Sequence, residues 1–180
     1  THHKILVAKG CFKVGLYKQG LLHDMSKYSP TEFWVGAKYY QGTRSPNNAE
    51  REDIGYSSAW LHHKGRNKHH YEYWIDYSMQ ALPGGMAPVP MPDKYIAEMI
   101  MDRIAASKVY MGGEYTDRSP LDYYYQGTDR APIHPETKAK LLYVLEMLAE
   151  EGEEKTFRFI KEELVQHKRC MDWHQLEKAE

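Results

Sequence analysis

Seven of the chain's ten histidines fall within its first 70 residues, and six of the seven stand as adjacent pairs: His2-His3, His62-His63 and His69-His70. The seventh, His23, stands against Asp24 in "LLHDMSK", at the end of an apolar run. Imidazole and carboxylate together suit Zn, Fe, Mn and similar divalent ions, and burying either group without a partner is costly. A shared cation resolves both costs. His3 repeats with Val7, Cys11 and Val14 at helical spacing, and Asp102 interrupts an apolar helix face made of Ile96, Met99, Ile100 and Ile104. His3, His23, Asp24 and Asp102 thus read as core-facing groups from three separate segments, expensive apart and mutually satisfying around one ion. Taken singly, each also has an ordinary reading. His3 would be a hydrogen-bonded core histidine, Asp102 an internal salt-bridge partner and Asp24 the start of a turn.

The elements that must position these groups are helical. Residues 2–17 read as a first helix with His3 on its core side and His2 over Lys9 and Lys13. Ser29-Pro30-Thr31-Glu32 combines an N-cap, a proline at the first helical position and a capping-box glutamate, predicting a helix over 30–41 that Gly42 ends. Residues 48–64 form the next candidate helix, carrying Ile54, Leu61, His62 and His63. The proline and glycine content of "LPGGMAPVPMP" excludes regular structure there. Pro92 opens a long helix to about residue 110, residues 112–134 read as irregular with a short helix at 120–125, and 135–151 and 153–168 read as two amphipathic helices. No stretch sustains the alternation of a strand, so the fold class is all-α. The 15 tyrosines read as packing and surface.

With 180 residues and 42% apolar content, the chain predicts a single domain over 1–180, with the metal-site core at about 2–110 and the C-terminal helices at about 135–168. Those paired helices, of mixed charge, offer a homodimer contact. Lys and Arg number 24 against 25 for Asp and Glu, which leaves no electrostatic footprint for nucleic acid or an anionic membrane. No apolar run approaches the roughly 20 residues that span a bilayer, and no signal-peptide pattern opens the chain. Cys11 and Cys170 match no disulfide framework, which suits a reducing cytoplasm. The chain opens on Thr1-His2-His3, and the phase of His3 with Val7 marks it as part of a helix face and not of an appended tag.

At "LLHDMSK" the sequence resembles the HD superfamily of metal-dependent phosphohydrolases, in which a helix-borne His, an adjacent His-Asp pair and a later Asp bind a divalent metal. His3 matches the first position, His23 and Asp24 the name-giving pair, and Asp102 in "MDRIAAS" the late helix-borne aspartate followed by Arg. Met25, Ser26 and Lys27 stand where that superfamily commonly has an aliphatic residue, a small residue and lysine. The resemblance spans about 2–110 and implies an HD-like helical bundle. "WLHHKGRNKHHYEYW", residues 60–74, is similar to the stretch from which two-metal members draw extra histidines, which implies His63, His69 and His70 as further ligands, with His62 less favoured. The whole chain is also similar to a small uncharacterised bacterial family within the superfamily. A solvated basic loop, with Lys64, Arg66 and Lys68 among the histidines, is the alternative reading of that stretch.

The resemblance implies a hydrolase of a phosphoester or nucleotide using one or two divalent ions, Fe, Mn, Zn or Mg. Asp24 would bridge the ions, Lys27 would act beside it, and Arg66 and Arg103 would meet the phosphate of a small-molecule substrate, Arg as a bidentate fork and Lys as a point charge. Substrate pocket residues are expected in "RNKHHYEYW" and the proline-rich loop. Two competing expectations keep the fold: a di-iron oxygenase, as in the inositol oxygenase branch, and a non-catalytic, metal-stabilised binding protein.

Overall fold

A computed structural model describes residues 2–42, 44–79, 83–127, 131–168 and 173. Helix α1, His2–Lys13, closes where Leu16 N–H donates to the Cys11 carbonyl (2.8 Å) and Gly15 N–H to the Phe12 carbonyl (3.1 Å), with Gly15 at φ 87°. This left-handed closure favours glycine. It ends the helix expected over 2–17 early, and the chain restarts as α2, Tyr17–Leu22. Helix α3, Pro30–Lys38, begins as its sequence predicts, with Ser29 Oγ accepting from Glu32 N–H at 3.4 Å.

The single helix expected over 48–64 is two. Helix α4, Pro46–Ile54, ends on Gly55 at φ 83°, whose N–H donates to the Arg51 carbonyl, and α5, Ser58–Lys64, restarts under the Ser57 side chain. Buried Glu50 locks the junction by accepting from Ser57 Oγ and Ser58 Oγ, both at 2.6 Å. Ile54 and Leu61 face solvent, and the buried residues of α5 are Ala59 and His63.

The proline-rich stretch does carry regular structure. Strands β1, Ile75–Tyr77, and β2, Met86–Pro88, pair antiparallel with Ile75 opposite Pro88 and Tyr77 opposite Met86. Three residues per strand are too few to show an alternation in sequence. Helix α6 runs Asp93–Met111, and α7, Ser119–Gly127, occupies more of the expected irregular region than 120–125. Helix α8, Pro135–Phe159, turns at Gly152 (φ 79°, ψ 172°), between the two expected amphipathic stretches, and continues as a π-helical segment, Ile160–Val165.

The fold is all-α, with one small two-stranded ribbon among the described residues. Helix α1 packs along α6, so Val7, Cys11 and Val14 share one continuous core with Ile96, Ile100 and Ile104, and Leu141, Val144, Leu145 and Leu148 of α8 complete it. Each fully buried side chain of this kind contributes roughly 1.5–3 kcal/mol. Lys140 ties α8 to the start of α6, donating to Asp93 Oδ1 and Glu136 Oε1 at 2.7 Å each. No helix among the described residues is long and apolar enough to cross a membrane. Cys170 lies outside the described residues.

Candidate metal centre

The pair His23-Asp24 sits at a chain reversal and not within a helix. Helix α2 stops at Leu22, His23 is extended (φ −51°, ψ 128°), and Asp24 adopts the left-handed conformation (φ 55°, ψ 27°) that Asp visits more readily than most residues. Both side chains turn inward, with His23 1% and Asp24 4% exposed. Helix α1 brings in His3 and α6 brings in Asp102. His3 Nε2 lies 2.9 Å from Asp102 Oδ1, and His23 Nε2 lies 3.3 Å from the same oxygen and 3.4 Å from Asp24 Oδ2. One ligand atom from each of His3, His23, Asp24 and Asp102 falls within 4.8 Å of the others.

A second set forms on the other oxygen of Asp24. His63, at the end of α5, places Nε2 3.2 Å from Asp24 Oδ1, and His69 places Nε2 3.5 Å away. With His70 these residues again present ligand atoms within 4.8 Å of one another. All seven residues expected as ligands are thus brought together, in two groups that share Asp24. His62 is turned away, its Nδ1 donating to Glu32 Oε1 at 2.6 Å.

Four buried atoms in these groups, His23 Nε2, Asp24 Oδ1, His69 Nε2 and His70 Nε2, make no hydrogen bond. Buried polar atoms are normally bonded, so orphans aimed at a common centre are what a cation would satisfy. The side chains fit a metal ion.

The family that matches residues 1–147 is described as "Family of unknown function (DUF5662)". The chain belongs to it. No curated protein and no solved structure matches the chain. The match to DUF5662 takes in every side chain of both groups, from His3 to Asp102.

Charge in the centre is balanced by proximity. Burial opposes charge on His23, yet the carboxylates of Asp102 and Glu98 beside it hold its pKa up at about 10. Burial works against the Asp24 carboxylate too, but His63, Lys27 and His23 keep it well below the usual range, as His23 and His3 do for Asp102. His70 moves the other way: burial and the neighbouring His69 press it well down, leaving a neutral imidazole, the form that binds metal. Cys11, shut in the core near Glu98 and Asp102, is pushed up to about 12 and is no nucleophile.

Two buried carboxylates hold the histidines from behind, and neither figured among the expected site residues. Glu98 Oε1 accepts from His23 Nδ1 (3.0 Å) and lies 3.2 Å from His69 Nδ1. Glu32, expected to cap α3 reciprocally, sends its carboxylate to His62 and His63 Nδ1, the latter at 2.8 Å. Asn67 braces His63 by donating to its carbonyl (2.8 Å) and to Ser26 Oγ (2.7 Å). Glu98 stands four residues before Asp102, on the same face of α6, and that spacing was the available signal.

The centre borders a cleft of about 680 Å³. His70 and Asp102 reach it from the metal groups, Arg103 supplies a cation, and Trp60, Tyr71 and Tyr123 supply aromatic walls. Burial and the Glu72 carboxylate push the Tyr71 phenol up to about 12, so it remains a donor. Among the described residues the lining comes from residues 60–72, as expected for part of "RNKHHYEYW", and from α6 and α7 in place of the proline-rich loop, with Tyr110 and Tyr123 among residues read as packing and surface. Lys27 Nζ is bonded to Asp24 Oδ2 at 2.6 Å. Arg66 is exposed, donates to the His62 carbonyl at 3.3 Å, and is not brought to the cleft.

Proposed function

We propose that this chain is a divalent-metal-dependent hydrolase of a small phosphoester, holding two ions that share Asp24. The observation that carries the reading is the pair of ligand groups meeting on one buried carboxylate, with unbonded histidine nitrogens in both and an arginine-bearing cleft alongside. The resemblance of "LLHDMSK", His3 and Asp102 to the HD superfamily supports the same reaction class. A bound ion would supply Lewis acidity, polarising a phosphoryl oxygen and bringing a coordinated water towards ionisation near neutral pH.

The chain's own residues do the rest. His3, His23 and Asp102 would hold one ion, His63, His69 and His70 the other, and Asp24 both. Five imidazoles against two carboxylates favour Fe, Zn or Mn over Mg, which prefers oxygen donors. Arg103, on α6 directly after Asp102, would bind a phosphoryl oxygen from the cleft that it lines, and Tyr71 would donate a second hydrogen bond to it. Lys27, bonded to Asp24, balances the carboxylate charge at the outer edge. Trp60 and Tyr123 pack the remainder of the substrate and keep water from it.

The nitrogen-rich ligand set also favours a second reading, a di-iron oxygenase of the same fold. Elemental analysis of the purified protein separates the two, followed by a phosphoester and nucleotide panel with the retained metal. Phosphate release requiring the metal is expected. Two irons that consume oxygen without releasing phosphate would replace the hydrolase reading, and protein that binds no divalent ion would end both.

A further inference from the structure

We propose that Glu98 is a positioning residue common to both ligand groups, so that weakening it loosens both ions at once. This rests on the two-ion reading above. His23 belongs to one group and His69 to the other, yet their rings lie with centroids 4.4 Å apart and both Nδ1 atoms meet the same oxygen, Glu98 Oε1. A carboxylate oxygen has lone pairs for two donors. With both Nδ1 atoms turned to this carboxylate, each ring offers Nε2 to an ion, which takes the place of any proton there, and Nε2 is the atom without a hydrogen bond in both rings. Glu98 is 5% exposed, so water does not compete for these bonds. It also rides one turn from the ligand Asp102 on α6, which makes the helix both a ligand donor and the brace for two others.

Glu32 provides the internal contrast. Its carboxylate fixes His63, a member of one group, and His62, a member of neither. Removing a carboxylate behind a metal-bound histidine typically lowers metal affinity about 10- to 100-fold. For Glu98→Gln that loss should fall on both ions, and for Glu32→Gln on one.

The test is a Mn²⁺ titration of ion-stripped full-length protein, read by calorimetry and by the electron paramagnetic resonance of free Mn²⁺. Wild type should bind two ions, Glu98→Gln should show both affinities lowered about 10- to 100-fold, and Glu32→Gln one of them. The visible spectrum of the Co²⁺-loaded protein gives a second readout, with the bands of both sites altered in Glu98→Gln. Circular dichroism of the stripped proteins checks the fold. Should Glu98→Gln not fold, Glu98→Asp, which keeps the charge and withdraws it by one methylene, should lower the same two affinities. A folded Glu98 variant that keeps both affinities, or loses only one, overturns the proposal. Wild type binding fewer than two ions would instead remove the two-ion reading, and this inference with it.

Discussion

Replacing Asp24 by Asn tests the centre with the least collateral damage. Asn matches Asp in size and, like it, tolerates the left-handed conformation at φ 55°. Ala would add roughly 1–2 kcal/mol of backbone cost there, which would blur any conclusion about the side chain. The variant removes one charge that faces Lys27 at 2.6 Å and His63 at 3.2 Å. The Lys27 side chain is 54% exposed, so its released ammonium turns to water at a cost of about 1 kcal/mol, while the amide oxygen of Asn remains beside buried His63 as an acceptor. Ion-stripped Asp24→Asn should therefore fold and melt within a few degrees of wild type. Metal binding should not survive so well. Even a carboxylate one shell behind a ligand is worth about 10- to 100-fold in affinity, so a charged ligand shared by two groups should cost at least about 100-fold, or about 2.7 kcal/mol, for each ion. Calorimetric titration of stripped protein with Mn²⁺ and Zn²⁺ measures this directly. Two ions held at wild-type affinity would refute the role of Asp24, and loss of only one would refute its sharing.

Arg103→Gln should keep metal content and lower kcat/KM on the best phosphoester about 10²- to 10³-fold, as expected for loss of a donor to developing charge; an unchanged value would place the substrate elsewhere. Saturating the stripped protein with metal at about 100 times Kd should add about 2.7 kcal/mol per site, raising Tm by roughly 5–10 °C per site in a chain of this size, reversibly on chelation. Lys140, whose burial disfavours charge but whose bonds to Asp93 and Glu136 raise its pKa, should stabilise the fold fully below the unfolded lysine value near 10.4 and progressively less as pH climbs through the higher folded one. Lys140→Met should remove that alkaline slope in urea melts between pH 9 and 11.5, and a slope that persists would assign it to another group.

Much of the helical plan was legible because it rests on local chemistry. Ser29 and Pro30 start α3, and the phase of Val7 and Cys11, continued by Val14 just past the helix end, fixed the buried face of α1 before any packing was known. The misreadings have equally local causes. Gly15 and Gly55 lie inside helical patterns, and a glycine there reads as a tolerated weakness until the flanking carbonyls show that it closes the helix. The hairpin was invisible because three-residue strands carry no period. Trp60, Tyr71 and Tyr123 lie far apart in the chain and become the walls of one cleft only through the packing of α5, α6 and α7.

The candidate metal centre divides along the same line. His3, His23, Asp24 and Asp102 could be named as candidate ligands because His and Asp on apolar faces are costly there, and His63, His69 and His70 only because their stretch is similar to one in a known superfamily. The carboxylates behind them could not be named so easily, since Glu32 already had a local role as a helix-start residue and Glu98 stood in a long helix with other charges. Only the fold shows that Glu32 serves His63 from 31 residues away and Glu98 serves His23 from 75. A ligand is conspicuous for what it costs alone, whereas a support is defined by the atom it holds. Reading such a centre from sequence should therefore continue one helical turn beyond each ligand, as Glu98 lies from Asp102, and ask what holds the far nitrogen of every imidazole.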